Sequence, residues 1–442
     1  MNDADVIVVG GGPAGIGAAF GAARQGARVL IVEQFNCLGG VATAGGHGHI
    51  CGFTAKGTDT IVVGGVAEQV SRRVVDAGYG VRSPAALDFE IEGMKFVLER
   101  MAHERGVELL YHTFFCKAIV DAGRVTGVVV QSKAGRRELR AGRVVDCTGD
   151  GDVAASAGAP CETGRPGDGK CQPATLMFTI GGVDWGRVRA WRTDFRMEHV
   201  WKQAQDAGDM EPFQSQIMGW WWTPTRPDQV GVNFTHITGV DATSAEDLTR
   251  ATIEGRRQAH HSIEVFRKYV PGMEHCYLVS TPNTVGLRES RRIVGDVVLT
   301  EDDLRARREW PDSIGYGSFF FDIHNLDGPG MSPQTERPGT GFRYQIPYRI
   351  LLPQTADRLL VAGRCVSVTH VALGSIRVMP QCMVTGEAAG TAAALSLERN
   401  VTPRALAVPK LQQALRQSGA ILDEADVERA NAPAASPELS EA

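Results

Sequence analysis

The sequence has no apolar run approaching the roughly 20 residues that cross a bilayer as a helix. A helical membrane span is therefore excluded. An apolar strand is read from about the fifth residue, so no secretory leader is expected and the expected location is cytoplasmic. Charge of one sign is also scarce: 46 Lys and Arg stand against 51 Asp and Glu, a net charge of −5. That gives no electrostatic reason to expect nucleic acid or an anionic membrane as a partner. The nine cysteines (37, 51, 116, 147, 161, 171, 276, 365 and 382) are odd in number and contain no C-x-x-C pair, which excludes a disulfide framework, a zinc pattern and a redox-active dithiol. His47-Gly48-His49 lacks a third ligand at useful spacing, so no metal is expected.

Glycine, by contrast, is plentiful at 52 residues. Val6-Ile7-Val8-Val9 is a β-branched run suited to a strand covered on both faces, and it stops at Gly10-x-Gly12-x-x-Gly15. In this fingerprint Gly10 makes the tight turn, Gly12 lets the backbone approach a pyrophosphate, and Gly15 allows close helix packing. Pro13 suits the first helical turn, and Ala14, Gly17, Ala18, Gly21 and Ala22 give that helix a small-residue face. A second apolar strand delivers Glu33, placed to accept from both hydroxyls of an adenosine ribose. These features imply a dinucleotide of the FAD or NAD type.

Residues 37–46 are too rich in glycine for regular structure, and their N–H groups can approach a cofactor. His47 and His49 share a face if extended and would line a pocket. Helical periodicity covers 64–78 and 88–105. Strands are expected at 108–111, 114–121, 125–132, 138–140 and 143–147, a β-meander interrupting a parallel sheet. The last ends at Asp146-Cys147-Thr148-Gly149, a strand terminus of the kind that receives nucleotides. All seven tryptophans fall within 160–344. Trp220-Trp221-Trp222 would either stack on a flat ligand or pack in a core. Arg288-Glu289-Ser290-Arg291-Arg292 is dense in guanidinium. Residues 319–324 are expected as a strand, as are 359–364, followed by a loop holding His370, Ser375 and Arg377. Met379-Pro380 then opens a helix over 381–398, a peripheral helix covers 411–422, and the composition from 431 onward is that of a disordered tail.

The segments GGGPAGIGAA with VLIVEQ, LGGVATAG, GLRESRRIVGD at 286–296, IPYRILLP at 346–353 and LLVAGRCVSVTHVALGSIRVMPQCMVTGEAAGTAAAL at 359–395 together resemble a known family. It is that of the FAD-dependent oxidoreductases related to glutathione reductase and the fumarate reductase flavoproteins, above all the bacterial subfamily called simply FAD-dependent oxidoreductase. The resemblance implies FAD rather than NAD. It implies that Gly10, Gly12, Gly15 and Glu33, flanked by Pro13, Ala14 and Gln34, meet the ADP half, and that Gly39, Gly40 and Thr43 approach the pyrophosphate or ring. Thr148 and Gly149 would lie near the adenylate. Gly363, Arg364, Met379, Gln381 and Cys382 would lie at the ribityl and isoalloxazine end, and Cys116 is counted among the cofactor contacts.

The implied architecture is α/β. A Rossmann-like FAD-binding domain with a β-meander insertion is formed by 1–160 and 345–405, and a mixed α+β substrate domain by 161–344. A peripheral helix (406–430) and a tail (431–442) follow. Hydride removal next to O–H or N–H needs a base titrating near working pH, which histidine satisfies. His370 is the first choice and His324 the second, with Tyr344 or Tyr348 as orienting donors and Arg288 and Arg377 holding an anionic group. The expected activity is an FAD-dependent dehydrogenase or oxidase of a sugar, polyol or hydroxy acid. The alternatives are a flavin-dependent reductase of an activated C=C bond and a flavin-carrying electron-transfer subunit. The expected partners are a small-molecule substrate and an electron acceptor of unknown kind, with a homo-oligomer left open.

Overall fold

The computed structural model describes residues 3–192, 194–211 and 219–432. Its first strand, β1 (Ala4–Val9), is covered on both faces, as its unbroken apolar run requires. Helix α1 (Pro13–Arg24) returns the chain to β2 (Val29–Val32), parallel to β1 with Val6 opposite Val29. Beyond β2 lies β3 (Glu108–Leu110), also parallel. Strands β4 (Phe114–Asp121), β5 (Arg124–Ser132) and β6 (Gly135–Asp146) form the meander, giving a sheet of order β3-β2-β1-β6-β5-β4.

Two of the expected strands are one. The runs 138–140 and 143–147 fuse into β6, whose first half pairs antiparallel with β5 while its second half pairs parallel with β1 and with β7 (Leu359–Val361). Ala141-Gly142 looks like a break in the sequence, yet Ala141 pairs with Ala4, so the backbone bonds that a turn would forgo are made by a neighbouring strand.

After β7 the expected loop contains a helix, α2 (His370–Ile376), whose N-cap Thr369 accepts at Oγ1 from the Ala372 N–H. Helix α3 (Met379–Glu398) follows and is buried almost throughout. It lies against α1 with no side chains between. A Cβ on Gly17 would come within 2.4 Å of the Met383 carbonyl oxygen, and one on Gly390 within 1.8 Å of that of Ala18. The paired numbers (Ala14 with Gly386, Ala18 with Gly390) advance together, so α1 and α3 are parallel and their N-termini open at the same end.

A four-stranded antiparallel sheet forms elsewhere, in the order Gly219–Thr223, Arg226–Asn233, Phe178–Gly181, Tyr277–Ser280. Phe178, Trp201, Trp220, Phe234 and Phe266 form its own core, shared with the helix Ala245–Tyr269. Trp220 stands edge-on to Phe266, so the first of the three tryptophans packs. From Leu299 onward the chain rejoins the main core, contributing Ile314, Tyr316, Phe321 and Phe342.

Residues 319–324 form no strand, and only isolated bridges tie Phe321 to Glu336 and His324 to Met331. Three successive phenylalanines defeat two-fold alternation: Phe321 is buried, while Phe319 and Phe320 lean on each other at 4.6 Å. In place of one helix over 411–422 the structure has two, Val408–Gln417 and Glu424–Asn431, the second capped by Asp423. Of the expected tail, 431–442, Asn431 ends the second of these helices, and 433–442 lie outside the described residues.

Candidate active site

The glycine turn after β1 is closed by contacts that only glycine tolerates. Gly10 has φ of +97°, and a Cβ there would sit 2.4 Å from the Cys147 carbonyl oxygen. Gly15 abuts the Gly10 carbonyl in the same way. Above Gly12 there is room, the nearest atom to an added Cβ being Gly40 Cα at 3.9 Å. The 39–46 loop is seated on this turn: the Gly39 N–H donates to the Gly11 carbonyl (2.8 Å), and Thr43 Oγ1 donates to the Leu38 carbonyl (2.5 Å). Glu33 is buried and accepts from the N–H groups of Gly11 (2.6 Å) and Phe35 (2.8 Å). Burial pushes its carboxyl above the usual range against the pull of those bonds. Gln34 beside it is exposed.

At the far end of the same edge, Thr148 donates through N and Oγ1 to the fully buried Asp146. Arg364 bridges Asp150 Oδ1 (2.7 Å) and Ser290 Oγ (2.8 Å), packing beside Gly149. Gly363, with φ of +86°, leaves only the space that Ala14 permits. Neither α1 nor α3 has a side-chain N-cap or an acid in its first turn. The two positive ends thus point the same way without an internal counter-charge, and because Ala14 faces Gly386, α3 begins about two turns (~9 Å) beyond the start of α1, giving two anion-favouring points along one edge. Met379 opens α3. Gln381 donates to the Gly52 carbonyl (3.1 Å) while its Oε1, buried, has no partner among the described residues. Cys382 Sγ donates to the Arg377 carbonyl, and burial raises the thiol to about 12. The open space over Gly12, the uncapped helix pair and the orphaned Gln381 oxygen fit a dinucleotide lying along this edge.

Beyond Gln381 lies a wall of buried charge. Arg288 donates from Nη1 to the Pro173 carbonyl (2.7 Å) and Thr175 Oγ1 (2.6 Å). Burial and the neighbouring Arg377 charge depress it, though a guanidinium keeps its proton in proteins. Arg377 Nη2 donates to the carboxylate of Asp322 (2.8 Å), leaving its buried Nε without a partner among the described residues. Asp322 also lies 3.4 Å from His324 Nε2. Burial raises the Asp322 carboxyl, but the His324 bond and the Arg377 charge outweigh it and hold the group well below the usual range. His324 falls to about 4 through burial and the Arg288 charge, and His236 likewise to about 4. His47, 4.8 Å from the Trp221 ring, falls to about 3 through burial, His49, Arg288 and Arg377. Burial would lower His49 too, but its 2.6 Å bond to Asp88 carries it up to about 10.

His370 completes the wall. Its Nδ1 lies 2.8 Å from Oε1 of the enclosed Glu289, which also accepts from Arg292 Nη1 (2.5 Å). His370 Nε2 is buried and has no partner among the described residues. With His47, His236 and His324 neutral at pH 7, Arg292 pairs with Glu289 and lies 3.9 Å from Glu162, Arg377 pairs with Asp322, and Arg288 meets only neutral acceptors. The buried Arg288 charge thus has no carboxylate in contact among the described residues, and such a charge favours an anionic ligand.

His370, His324, Arg288 and Arg377 are thus brought to one wall. Tyr344 reaches it through Ser375, whose Oγ lies 2.9 Å from the phenol oxygen and donates to the Phe319 carbonyl (2.5 Å). Two of the expected residues stand apart. Tyr348 donates to the Pro403 carbonyl (3.0 Å), turned into packing beneath the C-terminal helices, and Cys116 is exposed on β4 in the meander. Both have suitable chemistry but point where strand and 3-10 geometry send them. Glu289, Asp322, Gln172 and His236 were not singled out from the sequence. An acid embedded among the three arginines of 288–292 was a usable signal for Glu289, but the other three have none. No cluster of three or more His, Cys, Asp or Glu able to hold a metal occurs among the described residues, and no described helix is long and apolar enough to cross a membrane.

The family model described as FAD dependent oxidoreductase matches residues 5–415. Among curated relatives, thiamine thiazole synthase of Aeropyrum pernix is 37% identical over 126 residues, 28% of this chain and 43% of the relative. Digeranylgeranylglycerophospholipid reductase 1 of Methanopyrus kandleri is 31% identical over 160 residues, 33% of this chain and 39% of the relative. The chain therefore spans less than half the length of these relatives. Among solved structures, a geranylgeranyl bacteriochlorophyll reductase-like protein of Thermoplasma acidophilum aligns with a TM-score of 0.45 at 13% identity, over 94% of this chain and 82% of that one. The p-nitrophenol 4-monooxygenase of Pseudomonas putida DLL-E4 aligns with a TM-score of 0.48 at 12% identity, over 93% and 83%.

Proposed function

The chain belongs to the FAD dependent oxidoreductase family, and on that premise we propose that it reduces a C=C bond conjugated to a carboxylate in a small polar substrate. FAD, when bound, supplies a two-electron carrier able to exchange hydride with carbon. In this reading Gly10, Gly12, Pro13, Ala14, Gly15 and Glu33 hold the ADP half, and Gly39, Gly40, Thr43, Thr148, Gly149, Gly363, Arg364, Met379, Gln381 and Cys382 line the rest. The flavin-binding part is formed by 1–160 and 345–405, and 161–344 supplies the substrate side. Kinship to glutathione reductase and the fumarate reductase flavoproteins belongs to the same proposal.

The observation that carries the reading is the unbalanced positive charge on the Arg288, Arg377 and Asp322 wall. Arg288 and Arg377 bind the substrate carboxylate by charge-assisted hydrogen bonds and stabilise the negative charge that grows into it as hydride reaches the β carbon. His370, as the imidazolium with Nδ1 held on Glu289, then delivers its Nε2 proton to the α carbon. A relative named as a reductase supports the direction better than the sugar or polyol oxidation expected from sequence. Oxidation of a hydroxy acid is the second reading, favoured by the same partnerless Nε2, which without its proton is a base.

The test uses the FAD-loaded protein under anaerobic conditions. Turnover of a reduced dye with small α,β-unsaturated acids, without flavin bleaching by hydroxy acids, supports the reductase. Bleaching by hydroxy acids alone supports the second reading, and neither response refutes both.

A further inference from the structure

We infer that Glu289 is a positioning residue that locks His370 in one tautomer and aims its Nε2 at the substrate. Glu289 is enclosed, and its Oε1 already accepts from Arg292 Nη1, a group that can only donate. Its Oε2 accepts from the Gln172 N–H (3.1 Å). The oxygen facing His370 is therefore an acceptor, and the 2.8 Å contact requires the ring proton on Nδ1. The exchangeable site is then Nε2, the buried atom with no partner among the described residues.

The lock is held from a second direction. Arg292 Nε donates to the Val368 carbonyl (3.0 Å), two residues before His370, and Nη2 donates to that of Gly164 (2.9 Å). The Ile293 N–H donates to the Cys365 carbonyl (2.9 Å). The acid and the imidazole, 81 positions apart, thus share a frame that leaves the ring little freedom to rotate. Gln172, which steadies Glu289 from its backbone, accepts from the His324 N–H with its side chain (3.3 Å), so the two candidate imidazoles of the wall are tied to one scaffold. An imidazole without this partner would sample both tautomers; with Nδ1 keeping its proton on Glu289, Nε2 is the site of exchange, carrying a lone pair on the neutral ring and a proton on the imidazolium.

This inference rests on the reading of His370 as the group that moves the substrate proton, but its test needs no substrate. The resting FAD-loaded protein, labelled with 15N-histidine, is examined by long-range 1H–15N correlation at a pH where His370 is neutral, its signals assigned through His370→Gln. A protonated Nδ1 and a bare Nε2 are expected as a single species. A ring protonated at Nε2, or an even mixture, overturns the inference whether or not unsaturated acids prove to be substrates. Glu289→Gln, if it folds with the wild-type melting temperature and FAD content, should lose the single-tautomer signature and slow turnover on the order of 10²-fold wherever His370 moves the proton. Retention of both wild-type ring signals and wild-type turnover in that variant would also overturn it, and a variant that fails to fold leaves the wild-type spectrum to decide.

Discussion

Gly390→Ala isolates the contact on which the cofactor edge is built. Within a helix this change ordinarily stabilises by about 1 kcal/mol, because alanine is the better helix former. Here the added Cβ would stand 1.8 Å from the Ala18 carbonyl oxygen, where ordinary contact begins near 3.4 Å. The obstacle is backbone, which cannot turn aside as a side chain would, so α1 and α3 must part by about 1.6 Å along a glycine-lined seam. Overpacking a tight core costs typically ~1–3 kcal/mol, and this case belongs at the upper end. The net expectation is destabilisation by about 2 kcal/mol, the packing cost exceeding the propensity gain. With an unfolding entropy of roughly 2.1 cal/mol/K per residue, a cooperative unit of this size would lose about 2 °C in Tm. Differential scanning calorimetry of the FAD-free protein measures it, with Gly339→Ala, where an added Cβ meets nothing within 4 Å, as the control. Because both helix N-termini move, FAD affinity should fall as well. A Gly390→Ala protein as stable as the wild type would refute the close crossing of α1 and α3.

Glu33→Ala removes the acceptor of the Gly11 N–H along with the proposed ribose ligand, and a charged hydrogen bond of about 1.5–3 kcal/mol corresponds to a loss of roughly 10–100-fold in FAD affinity, read by fluorescence titration of apoprotein. Asp88→Asn should destabilise in a pH-dependent way. The folded His49 value of about 10 lies above the ordinary 6.5, so the pair's contribution is complete below pH 6.5, declines as pH rises, and is gone above about 10. Urea melts of both proteins at pH 6, 8 and 10 should therefore converge as pH rises, and a constant gap would contradict the assignment.

The glycine turn and helix seam proposed to hold the cofactor were legible because their geometry dictates residue types. A positive φ at Gly10, the collision at Gly15 and the α1–α3 seam admit glycine alone, so the constraint is written at each position. Glu33 was legible for a similar reason, standing at a strand end that the motif counts out. The wall of charge was only half legible. His370 and Arg377 could be named from their place before α3, but their partners Glu289 and Asp322 come from 81 and 55 positions away, and nothing local marks which acid meets which base. Tyr348 and Cys116 show the converse: suitable side chains whose direction is fixed by what the main chain pairs with. The fusion of two short strands into β6 has the same origin, since the partner that makes Ala141-Gly142 extended is β1, more than 130 residues earlier in the chain.

The central claim is that the partnerless positive charge beside the flavin edge recognises a carboxylate. Titrating the yellow FAD-loaded protein with a small unsaturated acid and with its neutral amide, following the flavin absorbance, tests it directly. The account predicts saturable perturbation by the acid, binding of the amide at least about 30-fold weaker as expected for loss of a desolvated charge pair of ~2–5 kcal/mol, and erasure of that preference in Arg377→Met. Equal binding of acid and amide, or an undiminished preference in Arg377→Met, would contradict it.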